Sequence, residues 1–212
     1  MDETLNVITI DGPAGVGKTT LARTLAAKIK IAFLDTGAMF RAIALHLGPG
    51  SEKFAHNVLE SKVKDLNFSL QGFGEKTQLF CNNRPLGLEI RTETVAMTAS
   101  KLAQIGLIRE FLATAQRKIA SQSPLVAEGR DMSTVIFPTA RCKFFLDASP
   151  EIRANRRLND PHNQEKTDLA TLIAQIKERD ALVIDTSNLT IDAVLKIMED
   201  EIRAKGGFNG QN

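Results

Sequence analysis

An α/β fold built on a parallel sheet is what the sequence predicts, and three observations predict it. Short apolar, β-branched runs alternate with amphipathic helical stretches along most of the 212 residues. The first run, "LNVITI", passes directly into the Gly-rich "DGPAGVGKTT" and then into Leu21, Leu25 and Ile29 at helical spacing, so strand, loop and helix follow in the order that cradles a phosphate. A hydrophobic fraction of 43% and a charged fraction of 25% belong to a chain that buries its own core. The length suits one large domain, or one domain with an insertion.

Each element is justified in turn by its residues. After the first strand and the helix from Lys18 to Lys28 come a strand at Ala32 to Leu34, a helix from Ala38 to Leu47 and another from about Ser51 to Lys64. Between Leu66 and Leu88 the rhythm changes: "LNFSLQ", "TQLFCN" and "RPLGLEI" are short runs separated by Gly72, Gly74 and the Asn82-Asn83 pair, which predicts antiparallel hairpins. With the helix at Thr92 to Gln104 this gives an insertion over 66–106 in a core of 1–65 and 107–212. The α/β order then resumes with a helix to about Ser121, the strands "PLVAEG" and "CKFFLDA", and a helix entered at Ser149-Pro150. The polar "LNDPHNQEKTD" predicts a surface loop, and a helix over Leu169 to Arg179, the strand "ALVID" and a helix from Ile191 to about Lys205 complete the core.

Composition narrows the function classes. A net charge of +2 argues against a nucleic-acid binder that works by bulk neutralisation of phosphates. The arginines instead recur beside loop signals, at Arg41, Arg91, Arg130, Arg156, Arg157 and Arg179, as suits a small anionic ligand gripped from several sides. No apolar run approaches the roughly 20 residues of a membrane span. "MDETLNVITI" lacks a secretory pattern, so the expected location is the cytoplasm. Cys81 and Cys142 both fall in strand-like runs and read as buried free thiols.

The loop carries the first chemistry. Gly12, Gly17, Lys18 and Thr19 fit GxxxxGK(S/T), the P-loop spacing. Backbone N–H groups of this Gly-rich turn point at one spot at the helix N-terminus, so an oligophosphate is expected to bind there. Lys18 would reach the β and γ phosphates, and the Thr19 hydroxyl would ligate Mg²⁺. A cation in the first helical turn is otherwise disfavoured by the helix dipole, which makes a plain Gly-rich turn the poorer reading.

A triphosphate has several fates. The guanine-reading NKxD is absent from the sequence, against a GTPase switch, and a small-molecule kinase fits the length best. An alcohol acceptor would gain from a carboxylate base, whereas a phosphate acceptor is already ionised and needs positive charge instead. The dispersed arginines favour a phosphate acceptor. A kinase of another small acceptor such as UMP, or a nucleotide-dependent switch protein, are the competing readings.

Seven stretches resemble the bacterial cytidylate kinases, the (d)CMP kinases among the P-loop nucleoside monophosphate kinases. They are "ITIDGPAGVGKTTLA", "FLDTGAMFRA", "EIRTETVAMTASKLA", "IREFLATAQRKIA", "LVAEGRDMSTVIFPTA", "FFLDASPEIRANRR" and "IKERD", in the family's order. The resemblance implies a three-layer P-loop NTPase fold with a small β-rich insertion and a lid at about 156–168, and transfer of the ATP γ-phosphoryl group to CMP or dCMP. A monomer is expected. The resemblance also implies that Gly12, Pro13, Ala14, Gly15, Val16, Gly17, Lys18, Thr19 and Thr20 hold the phosphates of ATP, and that Lys18, with Arg156 and Arg157 on the lid, stabilises the transferring group. It further implies that Arg41, Arg130 and Thr36 hold the CMP phosphate, that Ser100, Arg109 and Asp131 read the cytosine, and that Arg179 contacts ribose or phosphate.

The chain also departs from the family pattern. Phe40 stands where the family usually has Tyr, Ser133 where Gly is usual, and Glu128 where Asp is common. After "IKERD" similar enzymes carry a polar, Arg-rich stretch of a dozen or more residues that holds the ribose and phosphate, whereas here Asp180 runs straight into "ALVIDTS". The intact flanks favour a segment missing from the sequence over a true deletion; an intact mass well above 23.2 kDa would show it.

Overall fold

The computed structural model describes residues 6–149, 151–153 and 181–207. In chain order its strands and helices are β1 (Val7–Asp11), α1 (Lys18–Lys28), β2 (Ala32–Asp35), α2 (Thr36–Leu47) and α3 (His56–Val63). These are followed by β3 (Phe68–Gln71), β4 (Gln78–Cys81), β5 (Arg84–Pro85), α4 (Glu93–Leu102) and α5 (Gly106–Ala120). The chain then returns to β6 (Leu125–Gly129), β7 (Cys142–Asp147), β8 (Leu182–Asp185) and α6 (Ile191–Ala204).

Five strands form one parallel sheet in the order β2-β6-β1-β7-β8, so the two central strands, β6 and β1, are far apart in sequence. Side chains alternate across it, and that alternation makes three layers. Val7 on β1, with Leu125 and Ala127 on β6, packs into one apolar layer against α2, α4 and α5. Ile8, Ile10 and Val126 face the opposite way, into a layer closed by α1 and α6. The same parity continues to the C-terminal edge of the sheet. Asp11 therefore falls on the α5 side, and Glu128, paired in register with Ile10 and Asp35, falls on the α1 side.

Local chemistry explains the boundaries. Helix α2 starts at Thr36, two residues before the expected Ala38, because Asp35 accepts a hydrogen bond from the Ala38 N–H at 2.9 Å and caps it. Thr92 and Thr190 cap α4 and α6 through the N–H groups of Val95 and Ala193, each cap being worth about 1 kcal/mol. The single helix expected over Ser51 to Lys64 is instead a 3₁₀ turn at Ser51–Lys53 followed by α3, with Phe54 and Ala55 extended between them.

The antiparallel sheet β3-β4-β5 is present, turned at Asn82 and Asn83, whose φ values of 48° and 61° suit a tight hairpin. Its third strand stops at Pro85, which has no N–H to extend a ladder, and Leu88–Arg91 forms a 3₁₀ turn in place of further strand. The sheet is fused to the core on two sides. Phe68 shares the layer of Val7 and Leu34. The Gly74 N–H donates to Ile31 O at 2.8 Å, so close to α1 that a Cβ on Gly74 would lie 2.6 Å from the Ala27 Cα. Cys142 is buried as expected, whereas Cys81 is half-buried on the small sheet.

Candidate active site

The strands β1, β2 and β6 end side by side, and a cavity of about 460 Å³ opens at their C-terminal edge, where ligands of open parallel sheets bind. Lys18 and Thr19, in the first turn of α1, line it. It is also lined by α2 (Thr36, Gly37, Phe40, Arg41), α4 (Ala96, Met97, Ser100), α5 (Arg109) and Glu128 to Met132.

The loop takes the form its glycines permit. Gly12 has φ 149° and lies against β7: a Cβ there would sit 2.3 Å from the Leu146 carbonyl oxygen, so only glycine fits. Gly17, at φ 90° in the left-handed region, starts α1 with no side chain capping the first turn. That leaves the helix N-terminus to an anion. Lys18 Nζ donates to Pro13 O at 2.8 Å, folding the side chain back across the loop it is expected to serve.

Thr19 Oγ1 donates to Glu128 Oε1 at 2.7 Å, and Thr36 Oγ1 donates to Glu128 O at 2.7 Å, so one β6 residue ties α1 and α2 together. Burial pushes the Glu128 carboxyl up to about 7, assisted by the charge of Asp35, while Lys18, the Thr19 hydroxyl and Arg23 oppose the shift. Asp35 also lies 3.9 Å from the Arg91 guanidinium. The residues Thr19, Glu128 and Asp35 together present hard oxygen donors beside the phosphate loop, and this fits a magnesium ion that is held by one or two protein oxygens plus phosphate and water. No group of three or more His, Cys, Asp or Glu suited to a metal occurs among the described residues.

Arg109 Nη2 donates to Asp131 Oδ2, a pair reached by neither residue's local sequence: α5 supplies one and the segment after β6 the other. Arg109 also donates to Ala103 O at 3.4 Å. Arg130 Nη1 donates to Gly12 O at 3.3 Å, which brings that arginine to the root of the phosphate loop. The structure thus gathers Lys18, Thr19, Thr36, Arg41, Ser100, Arg109, Arg130 and Asp131 around one cavity. Of the expected phosphate-loop residues, Lys18 and Thr19 line the cavity, while Pro13 and Gly12 meet its lining through their carbonyl oxygens, which accept from Lys18 and Arg130. Arg156, Arg157 and Arg179 lie outside the described residues.

A family model for cytidylate kinase matches residues 8–182. The chain belongs to the cytidylate kinase family. It is similar to the cytidylate kinase of Nitratidesulfovibrio vulgaris, 45% identical over 221 aligned residues covering 96% of this chain and 95% of that one. It is also similar to that of Oleidesulfovibrio alaskensis, 46% identical with 93% and 98% covered. Among solved structures, shikimate kinase from Bacteroides thetaiotaomicron shares the fold at a TM-score of 0.52 and 13% identity, with 93% of this chain and 98% of that chain covered.

Two of this cytidylate kinase family member's departures have structural answers. Ser133 does not adopt positive φ, so the usual glycine is not required, and its hydroxyl is used on Asp11. Phe40 keeps a ring on the cavity wall. Reading by pattern gave no site role to Asp35 or Asp11, and treated Glu128 only as a variant position. Their signal is an acid closing an otherwise apolar strand at the edge where the sheet meets its ligands. Arg153, by contrast, donates through Nε to Ala148 O at 3.0 Å and serves the backbone.

Proposed function

We propose that the chain transfers the γ-phosphoryl group of ATP to CMP or dCMP, releasing ADP and the corresponding diphosphate, with the loop of Gly12 to Thr20 as donor site and the α2, α4 and α5 wall as acceptor site. An oxygen of the acceptor phosphate forms the new bond to phosphorus as the bond to the β,γ-bridging oxygen breaks, and ADP leaves with that electron pair. Lys18 supplies charge to the group in transit, and Arg41 and Arg130 bring the acceptor dianion to it against the repulsion of the donor. No carboxylate base is needed, since the acceptor oxygen is already ionised at neutral pH.

The observation that carries the reading is the Arg109–Asp131 pair, which lines the same cavity as Lys18. A carboxylate accepts from the cytosine N4 amine, and a guanidinium donates to its O2 and N3. Uracil would turn a carbonyl oxygen toward Asp131 and an N–H toward Arg109, mismatched on both counts, so CMP is favoured over UMP. Apolar Phe40, Met97 and Met132 supply faces for the ring.

Magnesium, held by Thr19 with Glu128 and Asp35 nearby, would neutralise charge on the β and γ phosphates. On this reading the enzyme is a monomer of the cytoplasm. None of the described helices is long and apolar enough to cross a membrane. Arg156 and Arg157 are assigned to the transferring phosphates and Arg179 to the ribose or phosphate on resemblance alone. ADP release measured with CMP, dCMP, UMP and AMP tests the function; turnover of UMP equal to that of CMP overturns the role of the Arg109–Asp131 pair.

A further inference from the structure

We infer that Asp11, which sits at the root of the donor loop and has no place in ATP binding by motif, is a positioning residue for the acceptor nucleotide; this rests on the acceptor site described above. Asp11 is 0% exposed and closes β1 on the α5 side of the sheet. Its carboxylate reaches across to the segment that carries Arg130 and Asp131. Oδ1 accepts from the Met132 N–H at 2.8 Å, and Oδ2 accepts from the Ser133 N–H at 2.8 Å and from the Ser133 hydroxyl.

The Met132 N–H belongs to the peptide that joins Asp131 to Met132. A carboxylate fixed on that hydrogen sets the plane of the peptide, and with it the direction in which the Asp131 side chain leaves the backbone. Downstream the chain makes a single turn of π-helix, Met132–Ile136, a geometry that is rare and depends on outside support. Support comes at both ends. Asp11 takes the leading N–H groups, and Arg117 on α5 donates through Nε to Ile136 O at 3.0 Å and through Nη2 to Val135 O at 2.8 Å. Helix α5 also supplies Arg109, the partner of Asp131. The base-reading pair is thus held in a frame whose one fixed corner is Asp11 and whose other is α5.

Asp11 and Glu128 divide the work by parity. Asp11 ends β1, Glu128 is the last but one residue of the neighbouring β6, and they point to opposite faces: Glu128 toward Thr19 in the first turn of α1, Asp11 toward the turn that presents Asp131. A misplacement of about 1 Å in such a constellation costs up to ~10²-fold in rate, so loss of the Asp11 clamp is expected to fall on the acceptor and to spare ATP.

The test is steady-state kinetics of full-length Asp11→Asn, with the acceptor taken as whichever monophosphate the wild type turns over best. The asparagine keeps one acceptor oxygen and turns an amine toward the remaining N–H. The KM for the acceptor is expected to rise about tenfold while the KM for ATP stays within about twofold. A purely structural role would lower the active fraction, and hence kcat, leaving both KM values in place. Unchanged KM for the acceptor, or an equal rise for both substrates, overturns the inference. Should Asp11→Asn fail to fold, Ser133→Ala decides: it removes only the hydroxyl donor to Asp11, and the acceptor KM is expected to rise two- to threefold, by about the worth of one weak hydrogen bond. An acceptor KM equal to that of wild type overturns the inference there too. A wild type that prefers an acceptor other than CMP or dCMP counts against the proposed function and leaves this test standing.

Discussion

The proposed donor and acceptor sites are built on different principles. The proposed donor site is local: the loop between β1 and α1 and the first turn of α1 would supply its backbone amides, its lysine and its hydroxyl from nine consecutive residues, and glycines allow the loop its shape. The proposed acceptor site is assembled from α2, α4, α5 and the turn after β6, segments that span 36–132 in the chain and meet only because β6 inserts between β2 and β1. The lesson is that recognition of a phosphate chain can be written into a single motif, whereas recognition of a base requires donors and acceptors opposed across a gap.

Substitutions can break that contrast or sharpen it. The largest effect is expected for Lys18→Ala, which removes charge from the phosphoryl group in transit: kcat should fall by about 10³-fold, with the circular-dichroism melting curve unchanged. Near-normal turnover would remove Lys18 from the chemistry. Next come Arg41→Ala and Arg130→Ala, each removing a guanidinium proposed to hold the acceptor phosphate by a charged hydrogen bond worth about 1.5–3 kcal/mol. Each should lower kcat/KM for CMP by roughly 10- to 100-fold, and an equal loss in kcat/KM for ATP would blur the boundary between the two sites. Asp131→Ala follows, raising KM for CMP about tenfold and reducing the preference for CMP over UMP; an unchanged preference would take Asp131 out of base reading.

The smallest effect concerns the hinge between the sites. Glu128 rises from its ordinary 4.5 to about 7 in the fold. Between those values the folded chain holds more protons at this site than the unfolded chain, so its contribution to stability is present below pH 4.5 and declines as pH rises toward 7. Thermal melts of the nucleotide-free and metal-free protein should show a falling midpoint across that window, and Glu128→Gln should flatten the profile by a few degrees. A slope unaltered by the substitution would place the titration elsewhere.

Much of this was legible beforehand. The strand, loop and helix at the N-terminus, the parallel α/β alternation and the antiparallel turn at Asn82-Asn83 follow from periodicity and from residues with a special φ, which are local properties. The helix expected over Ser51 to Lys64 broke at Phe54-Ala55, and the strand expected through "RPLGLEI" ended at Pro85, because boundaries depend on which backbone groups find partners in space. The π-helical turn at Met132–Ile136 had no sequence signal of its own, since its supports, Asp11 and Arg117, come from other elements.

The sequence alone determined that this chain holds an oligophosphate, because amides at a strand-to-helix turn need only glycines, a lysine and a hydroxyl in consecutive order. Tertiary structure decided what stands opposite it. Strand order placed Glu128 between Thr19 and Thr36, side-chain parity sent Asp11 to one face and Glu128 to the other, and the approach of α5 to the turn after β6 set Arg109 against Asp131. Those are relations between residues distant in the chain, fixed by packing across a sheet, and no single stretch of sequence contains them.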